Sequence, residues 1–234
     1  MSTPHLPPLF SVMATAGADP FAVACSEARK GCDAGLVTYD IQTDSLRAAI
    51  VFAPEVPLRE AAMSLPICGI GFQNALGALA PPEVSLHLEW AGGIRLNGAR
   101  CGHLAMAAEP EDPDGTPDWL SVGLKLCLWD ATEDTGATPD KTTLFHEGCS
   151  EIDPNQLLEA WVRHTLVWLN RWLEEGPRPV HAAWQGLAHG HKEPSQVAGQ
   201  TGTFVGVDED FGMLLQSDDR TRMIPLTDIL TEAP

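Results

Sequence analysis

Apolar residues recur along the chain with two different spacings, which separate predicted helices from predicted strands. The clearest helix is predicted over 154–175, where apolar residues recur at three- and four-residue steps between an Asp153 cap and Gly176. Because its tryptophans follow the helical spacing, we expect them to pack in the core rather than to form a ligand platform. Further helices are predicted at 20–30 and 58–79, and strands at 36–39, 48–53, 84–90, 94–97, 103–108 and 119–129.

The pattern changes near the end of the chain, where short apolar runs are separated by acidic or glycine-containing turns. These runs predict strands at 199–204, 205–207, 212–216 and 222–225. Such a set is typical of a small β-barrel of about 40 residues that packs against a larger domain. We therefore predict an α+β protein with a main domain of residues 1–190 and a C-terminal β-barrel of residues 191–234.

Composition limits the partners of the protein. The 234 residues are 44% hydrophobic and 20% charged, as expected of a globular chain with a buried core. Lys and Arg total 14 against 32 Asp and Glu, which gives a formal charge of −18. This surface repels phosphate backbones, so we expect no nucleic acid as a general partner. An anionic small molecule would bind only where local cations or backbone N–H groups offset the overall field.

The expected location follows from the absence of targeting signals. The first ten residues have no basic start followed by an apolar run, and no apolar stretch approaches the ~20 residues of a membrane span. The six cysteines are scattered without a CxxC pair, which favours thiols buried in a core. We therefore expect a cytoplasmic protein without membrane association.

Short motifs do not indicate a chemistry by themselves. His189-Gly190-His191 has no nearby Cys or carboxylate at ligand spacing, so we predict no metal site. Gly69-Ile70-Gly71 is too short for a phosphate-binding loop. The sequence has no Rossmann, P-loop or GxSxG signature either.

A longer series of segments resembles the biotin/lipoate protein ligase family. Residues 28–37 (ARKGCDAGLV) are similar to its helix-to-strand passage, and Gln42-Thr43 to the QT that opens its GRGRRG loop. The run 89–104 (EWAGGIRLNGARCGHL) aligns without gaps on KWPND-IYV-NGKKLGGI, and 121–127 (SVGLKLC) falls on the VGIGIN strand. Further similar segments follow in the same order, so that the resemblance covers about residues 19–231: Thr142-Thr143-Leu144, Trp184, 206–215 and 224–226.

The resemblance implies a fold, a reaction and partners. The fold would be the class II biotin ligase/synthetase-like core, a mixed β-sheet with helices, followed by an SH3-like β-barrel. The family uses ATP with Mg to convert a carboxylic acid such as biotin or lipoate into an acyl-adenylate, and transfers the acyl group to a lysine of a carrier domain. The expected ligand is therefore a small carboxylic acid or its adenylate, and the expected partner is a biotinyl or lipoyl carrier domain.

The aligned motifs assign candidate site residues. Arg100 stands at the family's catalytic lysine and Lys125 at the second glycine of VGIGIN, and both cations are candidates for stabilising an anionic group. The candidates for substrate binding are Gln42, Thr43, Arg47, Trp90, Gly102 and Gly123.

The sequence also departs from the family pattern. GRGRRG is absent, because Gln42-Thr43 leads almost directly into the next strand. The Lys and Asp of KWPND are replaced by Glu89 and Gly93. The loss of these charges favours binding of an acyl ligand over full ligase activity.

Two alternative functions follow from these departures. One is a non-catalytic interaction module, or pseudoenzyme, that docks a carrier domain or pairs with a second copy as a homodimer. The other is an acyltransferase with Cys101 or Cys127 as its nucleophile, which requires a positive neighbour to stabilise the thiolate.

Overall fold

A seven-stranded mixed sheet forms the centre of the main domain in the computed structural model, which describes residues 3–131, 138–217 and 220–232. In chain order its strands are β1 (Ser11–Ala14), β2 (Leu36–Ile41), β3 (Ser45–Phe52), β4 (Leu86–Leu88), β5 (Gly93–Leu96), β6 (Ala99–Glu109) and β7 (Trp119–Cys127). Across the sheet the order is β1-β2-β3-β7-β6-β5-β4. The β1–β2 pair is parallel and every other neighbouring pair is antiparallel.

Helices cover both faces of this sheet. On one face, the apolar side of α1 (Pro20–Arg29) packs on small residues of the central strands, such as Ala49 and Ala107. On the other face the main core forms around four helices: α2 (Leu58–Ala61), α3 (Ser64–Leu79), α4 (Pro154–Glu175) and α5 (Arg178–Gln185). Among the described residues α1 is the one helix on its face of the sheet, so part of that face is open, and the candidate site lies there.

The prediction that the tryptophans of α4 pack in the core is confirmed. Trp161 is fully buried, and its indole N–H donates to the carbonyl of Cys68 in α3 over 3.0 Å. Trp168 and Trp172 are half-buried against the same core. The caps of the helix also match the sequence, since the Asp153 carboxylate accepts from the Asn155 N–H.

Several predicted elements differ in extent. The predicted helix 58–79 is two helices, and Pro66 lies in the first turn of α3, where its missing N–H breaks no helical hydrogen bond. The Asn97-Gly98 hairpin is confirmed, because both residues have positive φ between β5 and β6. β1 and α5 were missed, since four residues of β1 and eight of α5 carry too little periodicity to detect.

The C-terminal region forms a second, four-stranded antiparallel sheet. Its strands are β8 (Pro194–Val197), β9 (Gln200–Val207), β10 (Met213–Ser217) and β11 (Arg220–Ile224), in the order β11-β10-β9-β8. The two strands predicted at 199–207 are thus one, and β8 was not predicted. This sheet is consistent with a barrel-like domain, whereas its SH3-like character stays a prediction. It is tied to the main domain by the buried Trp90, whose indole N–H donates to the Phe211 carbonyl over 2.7 Å.

The segment Leu58–Leu79, which contains α2 and α3, has the length and mean hydropathy of a membrane span. This differs from the expectation that no apolar stretch approaches the length of a membrane span. However, 72% of the segment's most apolar window is buried inside the protein, as in the core helix of a globular fold.

Candidate functional site: a charged row beside an open cleft

A row of charged and titratable residues crosses the sheet on the face that carries α1. The register pairs Asp40 of β2 with Arg47 of β3, Arg47 with Lys125 of β7, and Lys125 with His103 of β6. Directly opposed residues share a face of the sheet and lie about 5 Å apart. We call these four residues the charged row. Arg47, Lys125 and His103 line a cleft of about 550 Å³.

The walls of the cleft come from distant parts of the chain. Asp19 and Phe21 line it from the start of α1, and Ile229 and Thr231 line it from the segment that follows the C-terminal sheet. Thr231 is fixed there because its N–H donates to the carbonyl of Met106 in β6 over 2.8 Å. The volume falls in the range of about 300–1,000 Å³ typical of small-molecule sites.

A buried carboxylate holds Arg47 at one end of the row. Asp40 is 5% exposed and forms an ion pair with Arg47, and it also accepts hydrogen bonds from Gln42 Nε2 and the Gly17 N–H, each over 2.9 Å. Burial alone would raise the pKa of Asp40, but these hydrogen bonds and the Arg47 charge lower it below its usual value. Asp40 therefore stays ionised and neutralises Arg47.

Lys125 occupies the middle of the row without a partner for its ammonium group. It is solvent-exposed and forms no side-chain hydrogen bond or ion pair with any residue in the described part of the chain. Partial burial lowers the pKa of the neighbouring His103, and the charges of Lys125 and Arg100 lower it further, against an opposing effect of Asp19. His103 is therefore neutral at pH 7, and Lys125 forms no ion pair with any described carboxylate.

A carboxylate marks the other end of the row. Gly93 of β5 lies opposite His103, and a Cβ atom at Gly93 would overlap the Glu89 side chain. The Glu89 carboxylate thus fills the space of a side chain at position 93. One of its oxygens accepts from Arg95 Nε over 2.5 Å, and the other pairs with Arg100. One carboxylate therefore holds two arginines beside the cleft.

Of the residues selected from the sequence, Arg47, Gly123 and Lys125 line the cleft. Arg100 lies outside the lining and pairs with Glu89, beside the His103 end of the charged row. Gly123 also has a packing role, because a Cβ there would lie 2.7 Å from the Phe21 ring of α1. At Gly102 a Cβ would overlap the carbonyl oxygen of residue 125, so glycine is needed for the close approach of β6 and β7.

The structure places three other selected residues outside the cleft. Gln42 and Thr43 stand at the short β2–β3 turn and line a separate surface pocket with Trp129 and Phe145. The turn is closed by a hydrogen bond from the Gln42 N–H to the carbonyl of residue 45. Trp90 is 5% exposed and directed towards the C-terminal sheet, so it packs in the core instead of facing the cleft.

The cysteines do not have the surroundings of nucleophiles. All six are free. Burial raises the pKa of the Cys101 thiol, and that of Cys127 is raised by burial despite the opposing charge of Lys125. Both thiols therefore remain protonated at neutral pH, which argues against the acyltransferase alternative. Across the described ranges, no group of three or more His, Cys, Asp or Glu residues could hold a metal ion.

Sequence reasoning missed the roles of His103 and Asp40. Both become recognisable only through strand register, since each lies directly opposite a cation on the neighbouring strand. Glu89 was noted as a departure from the family motif, but its position in the space above Gly93 depends on the turn before β5.

Comparison with models of protein families identifies the family of this chain. The model described as the biotin/lipoate A/B protein ligase family matches residues 6–186. The chain belongs to this family. A second model, described only as a domain of unknown function (DUF4444), matches residues 192–232. No curated protein matches the chain in sequence.

Solved structures agree with this assignment. A biotin protein ligase-like protein of unknown function from Silicibacter sp. TM1040 is 56% identical, with a TM-score of 0.93 over 98% of this chain and 100% of that one. The biotin protein ligase of Aquifex aeolicus in complex with biotin and ATP is 15% identical, with a TM-score of 0.71 over 92% and 95%. That of Leishmania major in complex with biotinyl-5-AMP is 14% identical, with a TM-score of 0.55 over 93% and 99%. The last two show the fold alone.

Proposed function

We propose that this ligase-like protein binds a small carboxylic acid with a biotin- or lipoyl-like acyl chain, or the corresponding acyl-adenylate, in the cleft beside the charged row. The observation that carries the proposal is Lys125, an ammonium group between Arg47 and the neutral His103 that forms no ion pair with any described residue. A carboxylate supplies one negative charge, and so does the phosphoryl group of an acyl-adenylate.

The surroundings of Lys125 support a ligand with an anionic head and an apolar body. Phe21 and Ile229 supply apolar surface to the cleft. The head group would lie beside Lys125 and the apolar body against Phe21 and Ile229, because all three residues line the same cleft.

The same geometry gives less support to acyl-adenylate formation. The turn between β2 and β3 contains only residues 42–44, so no long loop follows Gln42-Thr43 to close over the ligand. Arg47 and Arg100 are each paired with a carboxylate. The binding step is therefore the part of the family's reaction that we propose for this chain. We also propose a cytoplasmic location, which six free thiols support.

Calorimetric titration with biotin, lipoate and octanoate tests the proposal. We expect one of these acids to bind, and Lys125→Ala to weaken it about 10- to 100-fold, because hydrogen bonds to charged groups contribute ~1.5–3 kcal/mol. The matched control is Lys30→Ala, since Lys30 pairs with Glu27 outside the cleft. No binding of any acid or of a stable adenylate analogue would contradict the proposal.

A second candidate function is a non-catalytic module that pairs with another copy of itself. It is favoured by an apolar groove of about 620 Å³ between the segment before β1 and the second half of α4. Leu9 and Leu173 in this groove are 71% and 65% exposed. β1 is an edge strand, and no described strand pairs with its outer side. Sedimentation of the wild type and of Leu173→Glu tests it: a dimer that the substitution dissociates supports self-association, and a monomeric wild type excludes it.

A further inference from the structure

The Glu89 carboxylate and Gly93 form a matched pair beside the cleft. Because Gly93 lies opposite His103, a side chain there would share the cleft's face of the sheet. The Glu89 carboxylate fills that space instead, so its charge is directed to the end of the charged row. Glu89 and Arg95 are 20% and 19% exposed, which keeps this pair less screened by solvent than an ordinary surface ion pair.

Glu89 pairs with two arginines that could otherwise bind an anion. Each carboxylate oxygen binds one guanidinium, from Arg95 and from Arg100. Arg95 is held further by a hydrogen bond to the carbonyl of Gly98 over 2.6 Å. Arg100 is 54% exposed and lies on the same strand as the cleft residue His103, so a ligand in the cleft could reach it if Glu89 released it.

We propose that Glu89 is a specificity-determining residue that restricts the cleft to ligands with one negative charge, by withholding Arg95 and Arg100 from polyphosphates. This inference rests on the proposed function. With both arginines paired to Glu89, and Arg47 paired to Asp40, Lys125 is the cation of this group that forms no ion pair with a described residue. One ammonium matches a carboxylate or an adenylate, whereas a polyphosphate with several charges needs several cations, all the more in a protein of net charge −18.

Substitution of Glu89 provides a gain-of-function test with inorganic pyrophosphate as the probe. Glu89→Gln keeps the shape of the side chain and removes its charge. We expect this variant to bind pyrophosphate at least about tenfold more tightly than the wild type at low salt, and Glu89→Gln/Arg100→Ala to lose most of that gain. The control is Glu109→Gln, which removes the carboxylate that pairs with Arg29 at the far end of β6 and leaves pyrophosphate binding unchanged.

Two results would overturn the inference. One is a folded Glu89→Gln variant, with a melting temperature near that of the wild type, that binds pyrophosphate no more tightly. The other is seen with the wild type alone, if pyrophosphate binds as tightly as the carboxylic acid or displaces the acid from the cleft. Titration of the same proteins with biotin and octanoate separates the two proposals. A wild type that binds no acid contradicts the proposed function, while a pyrophosphate gain in Glu89→Gln still supports the role of Glu89.

Discussion

Replacement of Asp40 by Asn tests whether the buried end of the charged row is a structural ion pair. The carboxylate is 5% exposed and accepts hydrogen bonds from Arg47, Gln42 and Gly17, which lie on three different segments. Asn keeps the shape but loses the charge, and its NH₂ group must face one of these donors. Removing one partner of a buried ion pair costs ~3–5 kcal/mol. Because the Arg47 side chain is 24% exposed, we expect a smaller loss of about 2–3 kcal/mol.

For a chain of this size, that loss lowers the melting temperature by roughly 4–12 °C. The assay is thermal and urea unfolding at pH 7, with Asp114→Asn as the matched control, since Asp114 pairs with Arg59 but is 82% exposed. The control should change stability by less than about 0.5 kcal/mol. Equal, small effects of the two substitutions would refute the reasoning.

The pH dependence gives an independent check of the same ion pair. The pKa of Asp40 is lowered in the folded protein, so its ionisation contributes stability that is fully present above the ordinary value near 4. That contribution is lost as the pH falls through the lowered pKa. The difference in stability between the wild type and Asp40→Asn should therefore be constant from pH 5 to 7 and decrease below about pH 4.

Three further predictions concern the cleft and its neighbours. Gly123→Ala should destabilise the protein by about 1–3 kcal/mol, because the new Cβ would lie 2.7 Å from Phe21; an unchanged melting temperature would show that α1 shifts freely. Since the pKa of His103 is lowered, His103 becomes protonated only below about pH 6.5, and there the binding of an anionic acid should strengthen roughly two- to fivefold. His103→Gln should abolish this rise. The same dependence of affinity on pH in both proteins would contradict the prediction. Thiol alkylation should modify the exposed Cys127 well before the buried Cys101 in the native state; rapid modification of Cys101 would instead revive the nucleophile hypothesis.

The sequence predicted the elements whose signals are local. The caps and period of α4 and the Asn97-Gly98 turn depend on residues within a few positions of each other, and both agree with the structure. The family was also predicted correctly, from several segments that are each weakly similar to the family but follow its order along the chain. The split between α2 and α3 was missed because its position depends on tertiary packing rather than on propensity. The strands β1 and β8 were missed because four residues carry too little periodicity to detect.

The candidate site was predicted only in part because it depends on strand register. Arg47 and Lys125 were selected from motif positions, but a shift of one residue in either strand would move their side chains to opposite faces of the sheet. His103 was missed for the same reason. Trp90 was selected because of its motif position, but in this fold its indole N–H bonds to the carbonyl of Phe211 in the turn between β9 and β10, 121 positions away in sequence.

The most direct test of the account compares an acid with its uncharged amide, such as biotin with biotinamide or octanoate with octanamide, in the wild type and in Lys125→Ala. If the ammonium group of Lys125 recognises the carboxylate, the wild type prefers the acid by about 10- to 100-fold, and Lys125→Ala binds acid and amide equally. A preference for the acid that survives in Lys125→Ala, or a wild type that binds acid and amide alike, would contradict the central claim that the cleft is a site for a singly charged acyl ligand.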